Sequence, residues 1–426
     1  MTLDNSTKKH SAMKTKLLLF IVIIHILCIC SYGSSITLED RMQKILDKGI
    51  DKYGARGVSA AVIFPDGKVW TGVSGISHDT VAIESDMLFA IGSVTKNIVA
   101  ALTLKLAEEH VLSLDDPLSK WLPEYPHIDS NITIRQLLNH TSGIYMYWVN
   151  QKIWDDLKKD RTKVWSPEEV LSYIKEPEFP AGKGWRYSNT NYLLLAMIIE
   201  KATGSTLSAE FNKHFWESLG IQNAYLSIQE KIPDNQAHVF GDNFNNDGSN
   251  RDLTFLPRAS HESIGFGSSG IFTTAESLAR WSHTLFGGDI LQQESMDEML
   301  QFVDFREVAN ITAYGLGVQL YPKSFSSGER AIGHGGGNIG TTTYMVYLPE
   351  HNVSIVVMIN AFPNKSADYM TKKLISAVLR DLNAIGIIPY FDFFPTGLGL
   401  LSITVGITIN VLLYIRKKRK RSLENN

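Results

Sequence analysis

Apolar and polar residues recur with two different periods along the chain, and these periods predict where helices and strands lie. Residues 36–54 (ITLEDRMQKILDKGIDKYG) carry apolar side chains at helical spacing and end at a glycine, which predicts an amphipathic helix. Residues 57–75 (GVSAAVIFPDGKVWTGVSG) form two strand-like runs around Pro65-Asp66-Gly67. Two such runs around a Pro-Asp-Gly turn predict a β-hairpin.

The same two patterns return towards the other end of the chain. Residues 341–348 and 353–359 are strand-like runs, separated by a turn over 349–352. Residues 365–382 then carry apolar side chains at helical spacing, which predicts a final amphipathic helix. The strands of both ends are therefore expected to build one sheet.

Between these ends, from about residue 93 to residue 290, the pattern is mostly helical. Long loops are predicted near 142–166 and 229–262, where the periodicity is interrupted. The order of elements predicts an α/β (α+β) fold. In this predicted fold, helices flank an antiparallel sheet, and a helical region is inserted beside the sheet.

An apolar segment at the N-terminus bears on where the protein resides. Lys14 and Lys16 precede an apolar run over 17–30, and small residues follow at 31–35. This order is typical of a secretory signal, so residues 1–35 are predicted to be a signal peptide, with an uncleaved anchor as the alternative. The run is short for a membrane span, which needs about 20 residues.

A second apolar segment lies at the C-terminus. Residues 393–415 contain no charged residue, and a basic cluster follows at 416–421. This pattern predicts a transmembrane helix whose basic tail, residues 416–426, stays in the cytoplasm; a buried core helix is the alternative. The expectation is a single-pass cell-membrane protein whose domain, residues 36–385, lies outside the cytoplasm.

Composition and charge narrow the possible functions. Hydrophobic residues make up 44% and charged residues 20% of the 426, as in globular proteins, and a net charge of −3 gives no reason to expect nucleic acid. Cys28 and Cys30 are the only cysteines, which leaves the domain without thiols for disulfides, zinc or nucleophilic catalysis. The histidines show no ligand spacing, so no metal and no cofactor are predicted, and His140 is interpreted as structural.

Ser93-Val94-Thr95-Lys96 is the first candidate for chemistry, because it opens a long helical run. Residues i and i+3 share a helix face, so the amine of Lys96 is expected beside the hydroxyl of Ser93. A lysine in a dry pocket can activate such a hydroxyl. S-x-x-K also occurs at Ser6, Ser11 and Ser172, but only Ser93 follows a strand-like segment and precedes a largely apolar helix.

Tyr187-Ser188-Asn189 is the second candidate and precedes a run, TNYLLLAMIIEKATG, that predicts a buried helix capped by Gly204. A tyrosine at the entrance to a buried helix is usually a packing residue. Beside a serine and a lysine, however, its phenol can pass a proton to a leaving group. Asn189 can hold the lysine or a substrate amide.

The stretch GHGGGNIGTTTYMVYLP (333–349) places a histidine and a glycine run at the start of a strand. A phosphate loop of the P-loop type requires G-x-x-x-x-G-K-[ST], which is absent, and here the glycines lead into a strand rather than a helix. A lipase-type HGGG loop should precede a G-x-S-x-G nucleophile motif. That motif is also absent, so the run is interpreted as a cleft wall.

The order Ser93-x-x-Lys96, Tyr187-x-Asn189, His334-Gly335-Gly336 resembles the penicillin-recognising serine hydrolases, in the class C β-lactamase and D-alanyl-D-alanine carboxypeptidase branch. The resemblance extends from about residue 40 to residue 380. It includes the segments FAIGSVTK (89–96), LSLDDPLSKWLPEY (112–125), ITIRQLLNHTSGI (132–144), WRYSNTNYLLLAMIIEKATG (185–204), GSSGIFTTAESLARW (267–281) and YGLGVQL (314–320).

This resemblance implies a β-lactamase/transpeptidase-like fold with the site in a cleft. It implies Ser93 as the acylated nucleophile, with Lys96 and Tyr187 sharing the general base and acid roles. The oxyanion would be bound by the amides of Ser93 and Gly337, with Gly336 as the alternative register.

His334 departs from the lysine of true β-lactamases, because a histidine near its reference pKa of about 6.5 is mostly neutral at pH 7. This difference favours a D-amino-acid peptide, an amide or an ester as substrate. A β-lactamase, or a catalytically silent surface protein that binds a ligand in the same cleft, remains the alternative.

Overall fold

The computed structural model describes residues 36–242, 250–308, 311–362 and 364–382. Within these ranges Leu38–Asp381 form one compact unit. The predicted signal peptide (1–35), transmembrane helix (393–415) and basic tail (416–426) lie outside the described residues. Among those residues, no helix combines the length and apolar character that crossing a membrane requires.

A nine-stranded antiparallel sheet forms the centre of this unit, in the order β3-β2-β1-β14-β13-β12-β11-β10-β9. Strand β1 pairs with β14, so the two ends of the domain meet inside the sheet, as the sequence predicts. The strands are β1 (Gly57–Ile63), β2 (Val69–His78), β3 (Val81–Ala82), β9 (Val303–Val308), β10 (Ile311–Tyr314), β11 (Gln319–Leu320), β12 (Ile332–Asn338), β13 (Thr341–Leu348) and β14 (Val353–Ile359).

Every residue of β1 and β14 is buried, which requires cover on both faces of the sheet. Helices α1 (Leu38–Tyr53) and α12 (Ser366–Asp381) pack against each other and against the sheet, and α10 (Ala275–Gly287) also packs on β1 and β14. The predicted terminal helices and both predicted hairpins are therefore confirmed to within two residues at most ends.

The helical region lies between β3 and β9. Its two central helices, Thr95–Glu108 and Asn189–Thr203, are almost wholly buried, because both are apolar nearly all round. The helices of this region are α2 (Thr95–Glu108), α3 (Ile134–Leu138), α4 (Gln151–Lys159), α5 (Pro167–Leu171), α6 (Asn189–Thr203), α7 (Leu207–Phe211), α8 (Glu217–Leu219), α9 (Ala259–Gly265) and α11 (Gln293–Met299), with α10 already named.

The structure corrects the two predicted long loops. The segment 142–166 contains α4, which Asn150 caps at its start and which buries Ile153 and Leu157. The segment 229–262 contains short strands and the beginning of α9. These strands are β6 (Phe240–Gly241) and β7 (Arg251–Asp252), which form a small sheet with β15 (Ala361–Phe362) in the order β15-β6-β7. A second small sheet, outside this segment, has the order β4-β8-β5 and consists of β4 (Phe89–Ala90), β5 (Ala224–Leu226) and β8 (Ile271–Thr273).

Candidate active site

Ser93 lies in a single 3₁₀ turn, Gly92–Val94, that joins β4 to α2. Gly92 adopts φ +54°, and a Cβ there would lie 2.3 Å from the carbonyl oxygen of Gly337, so the turn requires glycine. Lys96 Nζ donates to Ser93 Oγ at 3.1 Å and to the Ser268 carbonyl oxygen at 2.8 Å. The structure thus brings the hydroxyl and the amine together.

The side chain of Lys96 is fully buried. Burial disfavours the charged ammonium and holds the pKa of Lys96 well below its ordinary value of 10.5. The amine also lies 4.9 Å from the ring centre of Tyr187. A neutral amine carries a lone pair, which it can use to take a proton from the adjacent hydroxyl.

Tyr187 comes from the segment just before α6, as the sequence predicts. Its hydroxyl oxygen is buried and makes no hydrogen bond of proper geometry with the described residues. Burial raises the pKa of Tyr187, and the nearby Ser93 hydroxyl offsets only part of this rise. The group is therefore a neutral phenol, with a proton to donate.

Asn189 is the first residue of α6. Its side-chain oxygen is buried and has no hydrogen-bond partner among the described residues. A buried acceptor without a partner is unfavourable by about 1–3 kcal/mol. A substrate N–H group could satisfy this oxygen.

His334 is fully buried in β12. Its Nδ1 lies 2.6 Å from the Gly335 carbonyl oxygen and its Nε2 lies 2.9 Å from the Tyr314 hydroxyl. These contacts fit a neutral ring in which Nδ1 carries the hydrogen and Nε2 accepts from Tyr314. Burial and the neighbouring Lys96 lower the pKa of His334 to about 3, well below the reference value assumed from the sequence. A cationic His334 is thus even less favourable than the sequence indicates.

The glycines of β12 differ in where their amides point. Gly335 N–H donates to the Gln319 side chain at 2.9 Å, on the side of β12 that faces away from β13. Backbone groups alternate along a strand, so Gly337 presents its amide on this same outer side, whereas Gly336 faces β13. This geometry favours Gly337 over Gly336 as the second oxyanion donor.

Position 336 requires glycine for a different reason, which is the space available beside it. A Cβ on Gly336 would lie 2.0 Å from the Ile91 carbonyl oxygen and 3.1 Å from the backbone nitrogen of Ser93. Only glycine lets β12 approach the turn that carries the serine this closely. The strand and the turn therefore lie in direct backbone contact.

Three further groups contact the residues of the candidate site, and no pattern in the sequence indicates these contacts. His140 is buried with its ring 4.4 Å from that of Tyr187, and its Nδ1 accepts from the Ser188 amide at 3.2 Å. Tyr314 orients His334, and the Ser268 carbonyl orients Lys96. All three lie in the segments that carry the family resemblance, but residue type alone does not reveal these contacts.

The described residues contain no group of three or more His, Cys, Asp or Glu side chains that could hold a metal ion. The chemistry available among them is that of a hydroxyl, a dry amine, a neutral phenol and two amides. This set is the one that a serine hydrolase with a lysine in place of the usual histidine base would require.

Comparison with known proteins identifies the family. The chain belongs to the β-lactamase family, because residues 42–379 match the family model described as Beta-lactamase. Penicillin-binding protein 4* of Bacillus subtilis is 27% identical over 292 residues, which make up 65% of this chain and 62% of that protein. The predicted family is confirmed.

Two other similar proteins are covered over most of their length. The D-alanyl-D-alanine-carboxypeptidase/endopeptidase AmpH of Escherichia coli is 24% identical over 367 residues, which make up 79% of this chain and 90% of that protein. The crystal structure of a D-stereospecific amidohydrolase from Streptomyces superposes with a TM-score of 0.69. The two sequences are 27% identical, and the match covers 80% of this chain and 98% of the amidohydrolase chain.

Proposed function

We propose that the protein hydrolyses amides or short peptides of D-amino acids through an acyl-enzyme on Ser93. The observation that carries this proposal is the Lys96 amine, which is dry, has a lowered pKa and lies 3.1 Å from the Ser93 hydroxyl. A buried amine is costly for folding. Its position beside a hydroxyl gives it a use as a base.

Acylation would begin when Lys96 takes the Ser93 proton as Oγ bonds to the substrate carbonyl carbon. The resulting oxyanion would accept hydrogen bonds from the amides of Ser93 and Gly337. The bond to the leaving group then breaks, and that group takes the proton of Tyr187. The Lys96 ammonium returns a proton to Tyr187, so that the net change is the transfer of one proton from the serine to the leaving group.

Deacylation would run through the same groups. Water attacks the acyl carbon and gives up a proton to neutral Lys96, directly or through Tyr187. Ser93 Oγ leaves as the carboxylic acid product forms, and it takes back a proton from Lys96. The site returns to a neutral amine, a neutral phenol and a free hydroxyl.

Two features support D-amino-acid amides and peptides as substrates. The relatives include a D-alanyl-D-alanine carboxypeptidase/endopeptidase and a D-stereospecific amidohydrolase. In addition, His334 is neutral, because its pKa is lowered to about 3, and so it offers no permanent cation to a substrate carboxylate. This favours amides, which lack that carboxylate, over β-lactams. Esters and β-lactams are the competing substrate classes.

A fluorophosphonate probe tests the nucleophile. Wild type should become labelled on Ser93, whereas Ser93→Ala should not. Equal labelling of the two proteins would overturn the proposed acyl-enzyme. Ser172→Ala is a matched control, because Ser172 belongs to an S-x-x-K sequence that lies on the surface, with its hydroxyl bonded to the Glu169 carbonyl.

Parallel turnover assays test the substrate. D-alaninamide, a D-Ala-D-Ala peptide, p-nitrophenyl butyrate and nitrocefin should be compared on one preparation. We expect the highest kcat/KM on a D-amino-acid amide or peptide. Fast nitrocefin turnover, with neither amidase nor peptidase activity, would instead assign the protein as a β-lactamase.

We also propose that the domain is tethered to the cell membrane by residues 393–415 and faces outward. The support is the uncharged run followed directly by a basic cluster. A protease added to intact cells should remove the domain from the cell surface. Complete protection, with cleavage only after the cells are lysed, would contradict the outward orientation.

A further inference from the structure

Tyr187 is held in the candidate site by contacts other than hydrogen bonds to its hydroxyl. The hydroxyl oxygen is buried and makes no hydrogen bond of proper geometry with the described residues. A phenol that passes a proton to a leaving group must still be placed accurately, because a misplacement of about 1 Å can lower a rate by about 100-fold. The backbone and the ring of Tyr187 therefore have to be fixed by neighbouring residues, and His140 contacts both.

His140 accepts hydrogen bonds from the residues on either side of Tyr187. The Arg186 amide donates to the His140 carbonyl oxygen at 3.1 Å. The Ser188 amide donates to His140 Nδ1 at 3.2 Å. The His140 ring also packs against the Tyr187 ring, with ring centres 4.4 Å apart and an angle of 40° between the planes. One residue thus holds the backbone on both sides of Tyr187 and contacts its ring.

The hydrogen bonds of the His140 ring define its tautomer and its charge. Nδ1 also lies 3.2 Å from Asn191 Nδ2, and the Asn191 side-chain oxygen accepts from Ser142 Oγ at 2.8 Å. Both groups that face Nδ1 are N–H donors, so Nδ1 carries no hydrogen and Nε2 carries one. Burial, assisted by Lys96 and His334, holds the pKa of His140 well below its ordinary value of 6.5. The hydrogen bonds to Nδ1 therefore persist at the pH values where most histidines titrate.

The backbone of His140 adopts a conformation that is uncommon for a histidine. His140 lies just after α3, and its amide donates to the Leu137 carbonyl oxygen at 3.3 Å. The next amide, that of Thr141, donates to the Gln136 carbonyl oxygen at 3.0 Å. These two bonds form a Schellman motif, in which glycine usually occupies the position of His140. His140 has φ +62° there, and a bulky residue in this region points to a role for its side chain.

We propose that His140 is a positioning residue that fixes Tyr187 for protonation of the leaving group. This assignment rests on the proposed function, because it takes Tyr187 to be the proton donor in acylation. An amide needs such a donor, whereas p-nitrophenolate departs readily as an anion. Loss of the His140 contacts should therefore slow cleavage of an amide much more than cleavage of a p-nitrophenyl ester. A purely structural role, which the sequence predicts for His140, would slow both reactions equally.

Substrates with one acyl group and different leaving groups test this role. D-alaninamide, D-alanine ethyl ester and D-alanine p-nitrophenyl ester form such a series. General acid catalysis contributes about 10²–10⁴-fold, so His140→Gln should lower kcat/KM on the amide by about 100-fold or more. The loss should be smaller on the ethyl ester and smallest on the p-nitrophenyl ester. Equal losses on all three substrates, or no loss on any, would overturn the assignment.

A second variant tests whether the hydrogen bonds to Nδ1 carry the effect. In His140→Asn the new oxygen is as many bonds from the backbone as Nδ1, and asparagine tolerates a positive φ. His140→Asn should therefore keep more amide activity than His140→Gln, whose oxygen corresponds to Nε2, and the reverse order would contradict the proposal. His127→Gln is the matched control, because His127 has φ +64° but an exposed side chain paired with Glu176. If His140→Gln does not fold, His140→Gly replaces it, since glycine suits this conformation.

A double-mutant cycle shows whether His140 acts through Tyr187. Once Tyr187→Phe has removed the proton donor, adding His140→Gln should cause no further loss of kcat/KM on the amide. Losses that multiply would overturn the assignment.

The same proteins separate failure of this assignment from failure of the proposed function. A loss of amide activity in Tyr187→Phe without any loss in His140→Gln would contradict the role of His140 alone. Turnover that survives Ser93→Ala, or amide cleavage that Tyr187→Phe leaves unchanged, would contradict the proposed function. If wild type cleaves only the esters, the proposed amide substrate is wrong, and the ethyl ester takes the place of the amide in each comparison.

Discussion

Lys96 is an ionisable side chain in a site that favours its neutral form. Its nitrogen donates to a hydroxyl and a carbonyl oxygen, and burial is the cause of its lowered pKa. The unfolded chain takes up a proton at this lysine near pH 10.5, whereas the folded protein does so only at a much lower pH, because the pKa of Lys96 is lowered by burial. Folding therefore competes with protonation, and stability falls as the pH is lowered from 10.5 towards the folded pKa.

Lys96→Met should abolish labelling of Ser93 and make the protein more stable. Methionine has a similar shape but carries no amine to desolvate, so we expect the free energy of unfolding at pH 7 to rise by about 0.5–2 kcal/mol. Urea unfolding measures this change. The difference in the free energy of unfolding between Lys96→Met and wild type should become smaller as the pH rises towards 10.5. A variant less stable than wild type at pH 7 would show that the hydrogen bonds of Lys96 outweigh its burial.

His334 should not contribute to the pH dependence of activity near neutrality. Its pKa is lowered to about 3, so the ring is neutral throughout the range from about pH 5 to 9, where an unperturbed histidine would titrate. Any loss of kcat/KM on the acid side then reflects protonation of Lys96. The measurement is kcat/KM against pH for wild type and His334→Gln. An acid limb that disappears in His334→Gln would contradict this prediction.

The residues of the site were predictable to different degrees. Ser93, Lys96, Tyr187 and His334 could be chosen from the sequence, because their order and spacing are characteristic of one family. The lowered pKa of His334 could not, since it arises from burial and from Lys96, which is distant in sequence. Tyr314 was missed for a related reason, because the fold of the sheet brings it to His334.

At the scale of elements, the backbone of β12 packs directly against the Gly92–Val94 turn and the residue before it, Ile91. Gly336 lets the strand lie against the turn, because any side chain at this position would meet the Ile91 carbonyl oxygen. The distance between the Ser93 hydroxyl and the Gly337 amide depends on this approach. Backbone packing between two elements thus sets the geometry of the proposed oxyanion site.

Gly336→Ala should fold but lose most of its activity. The new methyl group would be 2.0 Å from the Ile91 carbonyl oxygen, so the strand and the turn must move apart. A displacement of about 1 Å at a reacting group can lower a rate by about 100-fold, and we expect the rate of fluorophosphonate labelling of Ser93 to fall by about this factor. Gly287→Ala is the control, because its nearest contact is Asn352 at 3.9 Å and alanine favours the helix by about 0.5–1 kcal/mol. Equal labelling rates in both variants would remove the role assigned to Gly336.

Long, periodic elements were predictable and short ones were not. β13 and β14 matched their expected bounds because seven or eight apolar or alternating residues establish a period. Strands such as β4 and β15 have two residues, which is too short for any pattern, and pairing with distant strands defines them. The α4 helix did have a signal, an Asn150 cap followed by Ile153 and Leu157, but it spans nine residues in a polar segment.

At the scale of the molecule, the two ends of the domain depend on each other. β1 and β14 are neighbours in the sheet, and α1 packs against α12. Arg41 pairs with Asp381 at 2.6 Å, and Lys52 Nζ lies 4.3 Å from the ring centre of Tyr369. Both exposed contacts are weak, so burial of the apolar face of α12 provides most of the stabilisation.

Removing α12 should therefore unfold the whole domain, although the helix is far from Ser93 in the sequence. It buries Met370, Leu374, Ile375, Val378 and Leu379. These are worth about 1.5–3 kcal/mol each, so that together they rival the entire stability of a typical domain, about 5–15 kcal/mol. A chain limited to residues 36–385 should fold and label on Ser93, whereas one limited to residues 36–362 should show neither cooperative unfolding nor labelling. Normal labelling of the shorter chain would mean that the helical region holds the site without a complete sheet.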